Sequence, residues 1–128
     1  MSSSDHLQHQ QLRMFIPAGE LRDTIEGCGA GVGVGSQEDV IAHNLMESRL
    51  PPESLRYTPL PGQWDKSLYE SVRDEGVQDP VAVSLSVGAT DLGPDGSMVL
   101  GDGHHRVASA STIDPTMEVP VRYREYHE

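Results

Sequence analysis

Between Met98 and Ser111 the chain changes character three times. Met98-Val99-Leu100 is a short apolar run suited to a strand. Gly101-Asp102-Gly103 interrupts it with two glycines, which admit backbone angles closed to other residues and let a ligand approach the main chain. His104-His105-Arg106 follows, and Val107-Ala108-Ser109-Ala110-Ser111 is small enough for a helix to lie close on a sheet. A helix entered this way leaves its first amides without intrahelical partners. Those donors and the positive end of the helix dipole make an anion site. The segment therefore demands a strand end beneath a helix start, and residues 101–106 become the candidate functional centre.

The rest of the chain supplies the partners. Residues 1–12 are polar and read as a disordered tail. Met14-Phe15-Ile16-Pro17 reads as a first strand, and Glu20-Leu21-Arg22 as a turn or short helix. Ser36 is a fair N-cap for a helix of about ten residues, with Val40, Ile41, Leu45 and Met46 at helical spacing, ending before Pro51-Pro52. His43 and Asn44 lie on or beside that stripe, and His43 reads as structural. Residues 51–63 contain four prolines and read as a loop. A helix is expected from Trp64 to Gly76, with Trp64, Leu68 and Val72 on one face and Gly76 as its stop. Pro80–Val87 alternates and reads as a strand with Val81, Val83, Leu85 and Val87 on one face. Pro94-Asp95-Gly96 marks the tightest part of a turn leading to Met98–Leu100. Val119–Tyr123 is the last strand. This order predicts one α+β domain over residues 13–128 with a small mixed sheet.

Gly27-Cys28-Gly29-Ala30-Gly31-Val32-Gly33-Val34-Gly35 places five glycines at alternate positions. A phosphate loop of the Walker kind needs a Lys and then Ser or Thr after the last glycine, and here Ser36-Gln37 follows. A dinucleotide fingerprint needs a preceding strand and a long βαβ unit. The stretch reads as a connector or lid. Nine basic residues face twenty acidic ones, for a net charge of −11. Nucleic-acid affinity comes mainly from neutralised phosphates, so direct duplex binding is not expected. A single cysteine, Cys28, forms no internal disulfide and suggests a reducing cytoplasm. Met1-Ser2-Ser3-Ser4-Asp5-His6 has no basic patch followed by an apolar run and is not expected to be a signal peptide, and with no stretch of about 18 apolar residues no membrane span is expected.

Within 101–106, Arg106 offers a fork of donors suited to phosphate or carboxylate. A structural ion pair with one of the many carboxylates is the bland alternative. His104 and His105 can donate hydrogen bonds, move protons or bind metal, but neighbouring histidines diverge and fit no standard zinc spacing. Asp102 can cap the helix, orient a histidine or hold magnesium.

From Trp64 onward the sequence resembles the ParB/sulfiredoxin-like fold family. The resemblance rests on Glu75-Gly76-Val77-Gln78-Asp79-Pro80-Val81-Ala82-Val83, a hairpin, and Asp102-Gly103-His104-His105-Arg106-Val107-Ala108-Ser109-Ala110. The last string is similar to the family's Gly-x-x-Arg-x-x-Ala box, with Ser109 at the final Ala. Glu20-Leu21-Arg22-Asp23-Thr24 resembles the family's entry segment. In that family the box holds nucleotide phosphates, CTP in ParB proteins and ATP in sulfiredoxins, and related domains are ADP-dependent serine kinases. Gly103 and Arg106 match the box, and His105 matches the sulfiredoxin histidine. His104 stands where sulfiredoxins carry their catalytic cysteine, so reduction of a sulfinic acid is not expected. His104 and His105 replace the Glu and Arg of ParB proteins, which weakens a ParB-type triphosphate grip. The helix-turn-helix and dimerisation regions of a partition protein are not expected in 128 residues.

The resemblance implies a nucleotide-binding domain for ATP, ADP or CTP with magnesium, acting as a nucleotide hydrolase or phosphotransferase. Gly101, Gly103, His104, His105 and Arg106 would hold the ligand. His104, His105, Asp102 and Glu20 would carry the chemistry, and Asp102 would meet the metal. The alternative is a non-catalytic module of phage or mobile-element type that modulates a host protein or a DNA-associated partner. A metal-dependent nuclease ranks below both, since no clustered carboxylates suggest a two-metal site.

Overall fold

The structure is a computed structural model, and it describes residues 12–26, 36–51 and 66–128. The polar tail up to residue 11, the glycine-rich stretch with Cys28, and the loop through Trp64 and Asp65 lie outside the described residues. Among the described residues eight elements follow in order: β1 (Phe15–Pro17), α1 (Ala18–Arg22), α2 (Gln37–Ser48), α3 (Leu68–Glu75), β2 (Val81–Ser86), β3 (Met98–Asp102), α4 (His104–Ile113) and β4 (Glu118–Tyr126). The sheet runs β1-β4-β2-β3. β4 is antiparallel to β1 and parallel to β2, while β2 and β3 form an antiparallel hairpin. The fold is the expected α+β class with a mixed sheet. Among the described residues no helix is long and apolar enough to cross a membrane.

Three boundaries differ from expectation. The helix expected from Trp64 begins at Leu68, because Ser67 stops it with a capping box: its Oγ accepts from Glu70 N at 3.1 Å, and Glu70 Oε1 reaches back to Ser67 N at 3.4 Å. Lys66 and Ser67 are therefore outside the helix. β3 extends through Gly101 and Asp102, which were expected in the turn. β4 continues to Tyr126 because β2 offers it a partner along its whole length, from Val81↔Val121 to Ser86↔Tyr126. Two faces also differ. Met46 was expected on the apolar stripe of α2, yet it is exposed, and Ile41, Asn44 and Ser48 are buried instead. β2 is buried on both faces, with Ala82 and Ser86 as inaccessible as Val81 and Val83. Ser86 is covered by its own connection: its Oγ bonds Gly88 O and Thr90 Oγ1, each at 2.7 Å. A central strand reads as a continuous run, and the small residues at 82 and 86 gave it the look of alternation.

α4 is the hub of the helical layer. Val107, Ala108, Ser109, Ala110 and Ser111 are all buried. Five consecutive residues go round a whole turn, so no face of that turn meets water. The helix touches α1, α2 and α3. The small side chains are what allow such crowding. α1 packs against α4 and links distant parts of the fold. β1 lies at one edge of the sheet, yet Thr24 O, just beyond α1, accepts from Leu100 N at 3.0 Å at the other edge. Ala18 N and Gly19 N meanwhile bond Met117 O and Pro115 O at 2.8 Å, tying α1 to the link between α4 and β4.

Ser109 Oγ is buried, and among the described residues it finds no hydrogen-bond partner. A lone buried hydroxyl of this kind costs about 1–3 kcal/mol. Ser109→Ala removes it and leaves the packing in place. It should stabilise the protein by about 1 kcal/mol, seen as a higher urea midpoint with an unchanged slope.

Candidate functional site

The site begins with a defect in the hairpin. Val83 pairs with Leu100 and Ala82 with Asp102, so β3 advances two residues while β2 advances one. Gly101 is the extra residue of a β-bulge, a device that re-aims the chain at a sheet edge. Its φ is not left-handed, and an added Cβ would meet only ordinary contacts at 3.5 Å and beyond. Gly103 is different. It adopts φ 103° and caps α4 in the left-handed region. A Cβ there would lie 2.5 Å from Val81 Cγ1. Gly103 was expected to supply backbone freedom and to admit a ligand; its left-handed φ answers the first, and the space a Cβ would need is already occupied by β2.

α4 starts without a side-chain cap, and its first turn carries no acidic residue. Val107 N makes the first intrahelical bond, to Gly103 O at 2.9 Å. The amides of His104, His105 and Arg106 precede that bond and have no intrahelical acceptor. Asp102 does not cap the helix, contrary to one of its expected roles. It stands exposed at the end of β3, where its charge acts on His104.

Arg106 leans across to the segment before β2. Its Nη1 donates to Asp79 O at 3.4 Å and Pro80 O at 3.3 Å. Among the described residues no carboxylate pairs with it, so the structural ion pair weighed for it is not formed. Arg106 lines an open cleft of about 190 Å³. Leu68, Val72 and Val77 give it apolar lining, and Glu75, Gln78 and Asp79 add polar groups.

The two histidines part company. His104 is half-buried, and burial pushes its imidazole below the usual histidine range; His105 adds to the shift and Asp102 opposes it. His105 turns to α2. Its Nε2 lies 3.1 Å from Glu47 Oε1, the same oxygen that His43 Nε2 meets at 3.2 Å. His43, expected to be structural, is thus part of a bridge between helices. Glu20 sits in α1 and is held by Arg13 at 2.9 Å. No described interaction joins it to residues 101–106. Among the described residues no group of three or more His, Cys, Asp or Glu is placed to hold a metal ion.

No family model, curated protein or solved structure matches this chain. The site's reading therefore rests on its own geometry.

Glu47 and Ser48 were missed by sequence reasoning, as were the carbonyls of Asp79 and Pro80. His43 and Glu47 are four apart on one helix, a spacing that marks a pair. Nothing local ties that pair to His105, 58 positions away. Backbone acceptors leave no mark in a sequence at all.

The two glycines should respond differently. Gly103→Ala combines left-handed strain with collision against Val81 and should cost about 2–4 kcal/mol in chemical denaturation. Gly101→Ala should cost under about 1 kcal/mol. For His104 the folded state disfavours the proton, so the unfolded chain binds more protons as acid is added. Its contribution to stability is complete above the free histidine value of about 6.5 and is lost as pH falls from there through the folded value. Asp102→Asn removes the opposing charge and should move the His104 titration, followed by NMR, further down.

Proposed function

We propose that this chain binds the phosphate end of a nucleotide where the start of α4 meets residues 76–80, as a domain of the ParB/sulfiredoxin-like kind. One observation carries the reading. Arg106, from the box-like string, reaches the carbonyls of Asp79 and Pro80, so the two segments that carry the resemblance wall a single cleft. The uncapped amides of α4 belong to the same first turn as Arg106 and add donors suited to phosphate oxygens. Nη1 supplies the bonds to the carbonyls, leaving the remaining donors of the guanidinium for a ligand.

Size refines the proposal. Pockets that enclose a whole small ligand run to about 300–1,000 Å³, and this cleft is smaller. It suits part of a nucleotide. ATP, ADP and CTP remain the candidate ligands. Magnesium keeps most of its shell from water and substrate phosphates and needs only one or two protein carboxylates; Asp102 is the one available in the segment. Phosphoryl transfer is mainly positioning and charge stabilisation. His104, held neutral at pH 7 by burial, suits hydrogen bonding or proton acceptance there. Glu20, already paired with Arg13, has no part in this scheme.

Glu75 and Asp79 favour a second reading. Two carboxylates beside Arg106 also suit a ligand of mixed charge, such as a polypeptide segment of a partner bound without catalysis.

Melting temperatures with ATP, ADP, CTP and GTP, with and without magnesium, separate the two. A nucleotide at about 100 times its Kd should stabilise the wild type by roughly 2.7 kcal/mol. Arg106→Ala should weaken that binding by about 10–100-fold, the loss of a charge-assisted hydrogen bond. If no nucleotide moves the wild-type transition, the nucleotide reading is wrong and the polypeptide reading gains.

A further inference from the structure

We infer that Glu47 acts on the start of α4 through His105: it is a positioning residue that fixes the imidazole and leaves the second ring nitrogen to accept a proton. The inference rests on the phosphate reading of this site and names a working group within it. Glu47 Oε1 lies 3.1 Å from His105 Nε2. A carboxylate only accepts, so Nε2 carries a proton, and in the neutral ring Nδ1 keeps its lone pair. Among the described residues no hydrogen bond engages Nδ1.

α2 holds the same residue a second time. Ser48 Oγ, on a buried side chain, donates to His105 O at 3.2 Å. Ring and backbone of His105 are therefore both referred to α2. His43 Nε2 meets the shared oxygen at 3.2 Å, one helical turn before Glu47, and steadies the carboxylate. Stability alone does not account for such an arrangement. The His105 side chain is 46% exposed and that of Glu47 33%, and exposed pairs contribute little. The helices already meet through a core that includes Ile41 and Val107. What the bridge does provide is one orientation and one neutral tautomer for an imidazole carried in the same first turn as Arg106 and the uncapped amides of α4. A carboxylate behind one nitrogen, with the other open, is the arrangement of an oriented base. In transfer from a bound nucleotide, Nδ1 takes the proton of the attacking water or alcohol as its oxygen bonds to phosphorus. The phosphorus–oxygen bond to the leaving nucleoside phosphate breaks, and the leaving oxygen keeps the electron pair.

The ring nitrogens of His105 in ¹⁵N-labelled protein provide the test, at about pH 8 where histidine is neutral. Wild type and His43→Ala should show Nε2 protonated and Nδ1 bare. Glu47→Gln, which keeps an accepting oxygen, should retain this pattern, and Glu47→Ala should give a mixture of tautomers with the amide spectrum of the fold unchanged. A wild-type His105 protonated at Nδ1, or a Glu47→Ala variant with the wild-type pattern, overturns the inference. Magnesium-ATP added to wild type should then shift the Nδ1 signal, and its hydrolysis should fall about 10–100-fold in kcat with KM held in Glu47→Ala. Bound nucleotide that leaves Nδ1 untouched overturns the proton-accepting role alone. Failure of every nucleotide to bind overturns the phosphate reading and the accepting role with it, while the tautomer pattern still decides whether Glu47 positions the ring.

Discussion

Gly103 and Val81 approach so closely that one added carbon would lie 2.5 Å from the valine side chain. Val81 is fully buried and opens the central strand of the sheet. The contact therefore fixes where α4 begins relative to the floor of the molecule. The rest of the site follows from that placement. The uncapped amides emerge beside the entry to β2, within reach of residues 76–80. Arg106, in the first turn of the helix, falls opposite the carbonyls of Asp79 and Pro80. His105, one helical step before Arg106, reaches Glu47 on α2. A left-handed residue at the cap and a bulge just before it bend the chain sharply enough to make this possible.

A helix crowded on every side has to be built from small residues, and α4 is. The choice has a chemical consequence. Ala108, Ser109, Ala110 and Ser111 hold the helix tightly but offer no titratable group. All charge and proton chemistry is confined to the first turn, at His104, His105 and Arg106. The two histidines meet different surroundings despite being adjacent. One is driven toward neutrality by burial, and the other is held by a carboxylate from a different helix. A single helical step of about 100° separates these environments.

The fold class was legible because the hairpin, the glycine turn and the small-residue helix each follow local rules of period and backbone freedom. Ser36 and Gly76 were legible as helix limits for the same reason. Ser67 was not, since a capping box inside a plausible helical pattern was overlooked in favour of the aromatic face at Trp64. The two-sided burial of β2 escaped because Ala82 and Ser86 are small enough to pass for the solvent side of an alternating strand. In the site, the backbone freedom asked of Gly103 was legible and its left-handed φ meets it; its close approach to Val81 was not, since that depends on a register no sequence states. The Glu47–His105 link joins helices whose residues are far apart in sequence and was invisible for that reason.

The first strand has a consequence for how the chain must assemble. Ile16 pairs with Val119, about a hundred positions away, and Thr24 ties the same segment to β3 at the opposite edge. The hairpin and its helix rest on nearer neighbours. The closing of the sheet must wait until β4 has been made, and contacts this distant form slowly. During synthesis the exposed Met14 and Phe15 and the buried Ile16 would all be without their final partner. The segment that spans the sheet is thus the last to be secured, a vulnerability in time that the finished structure conceals.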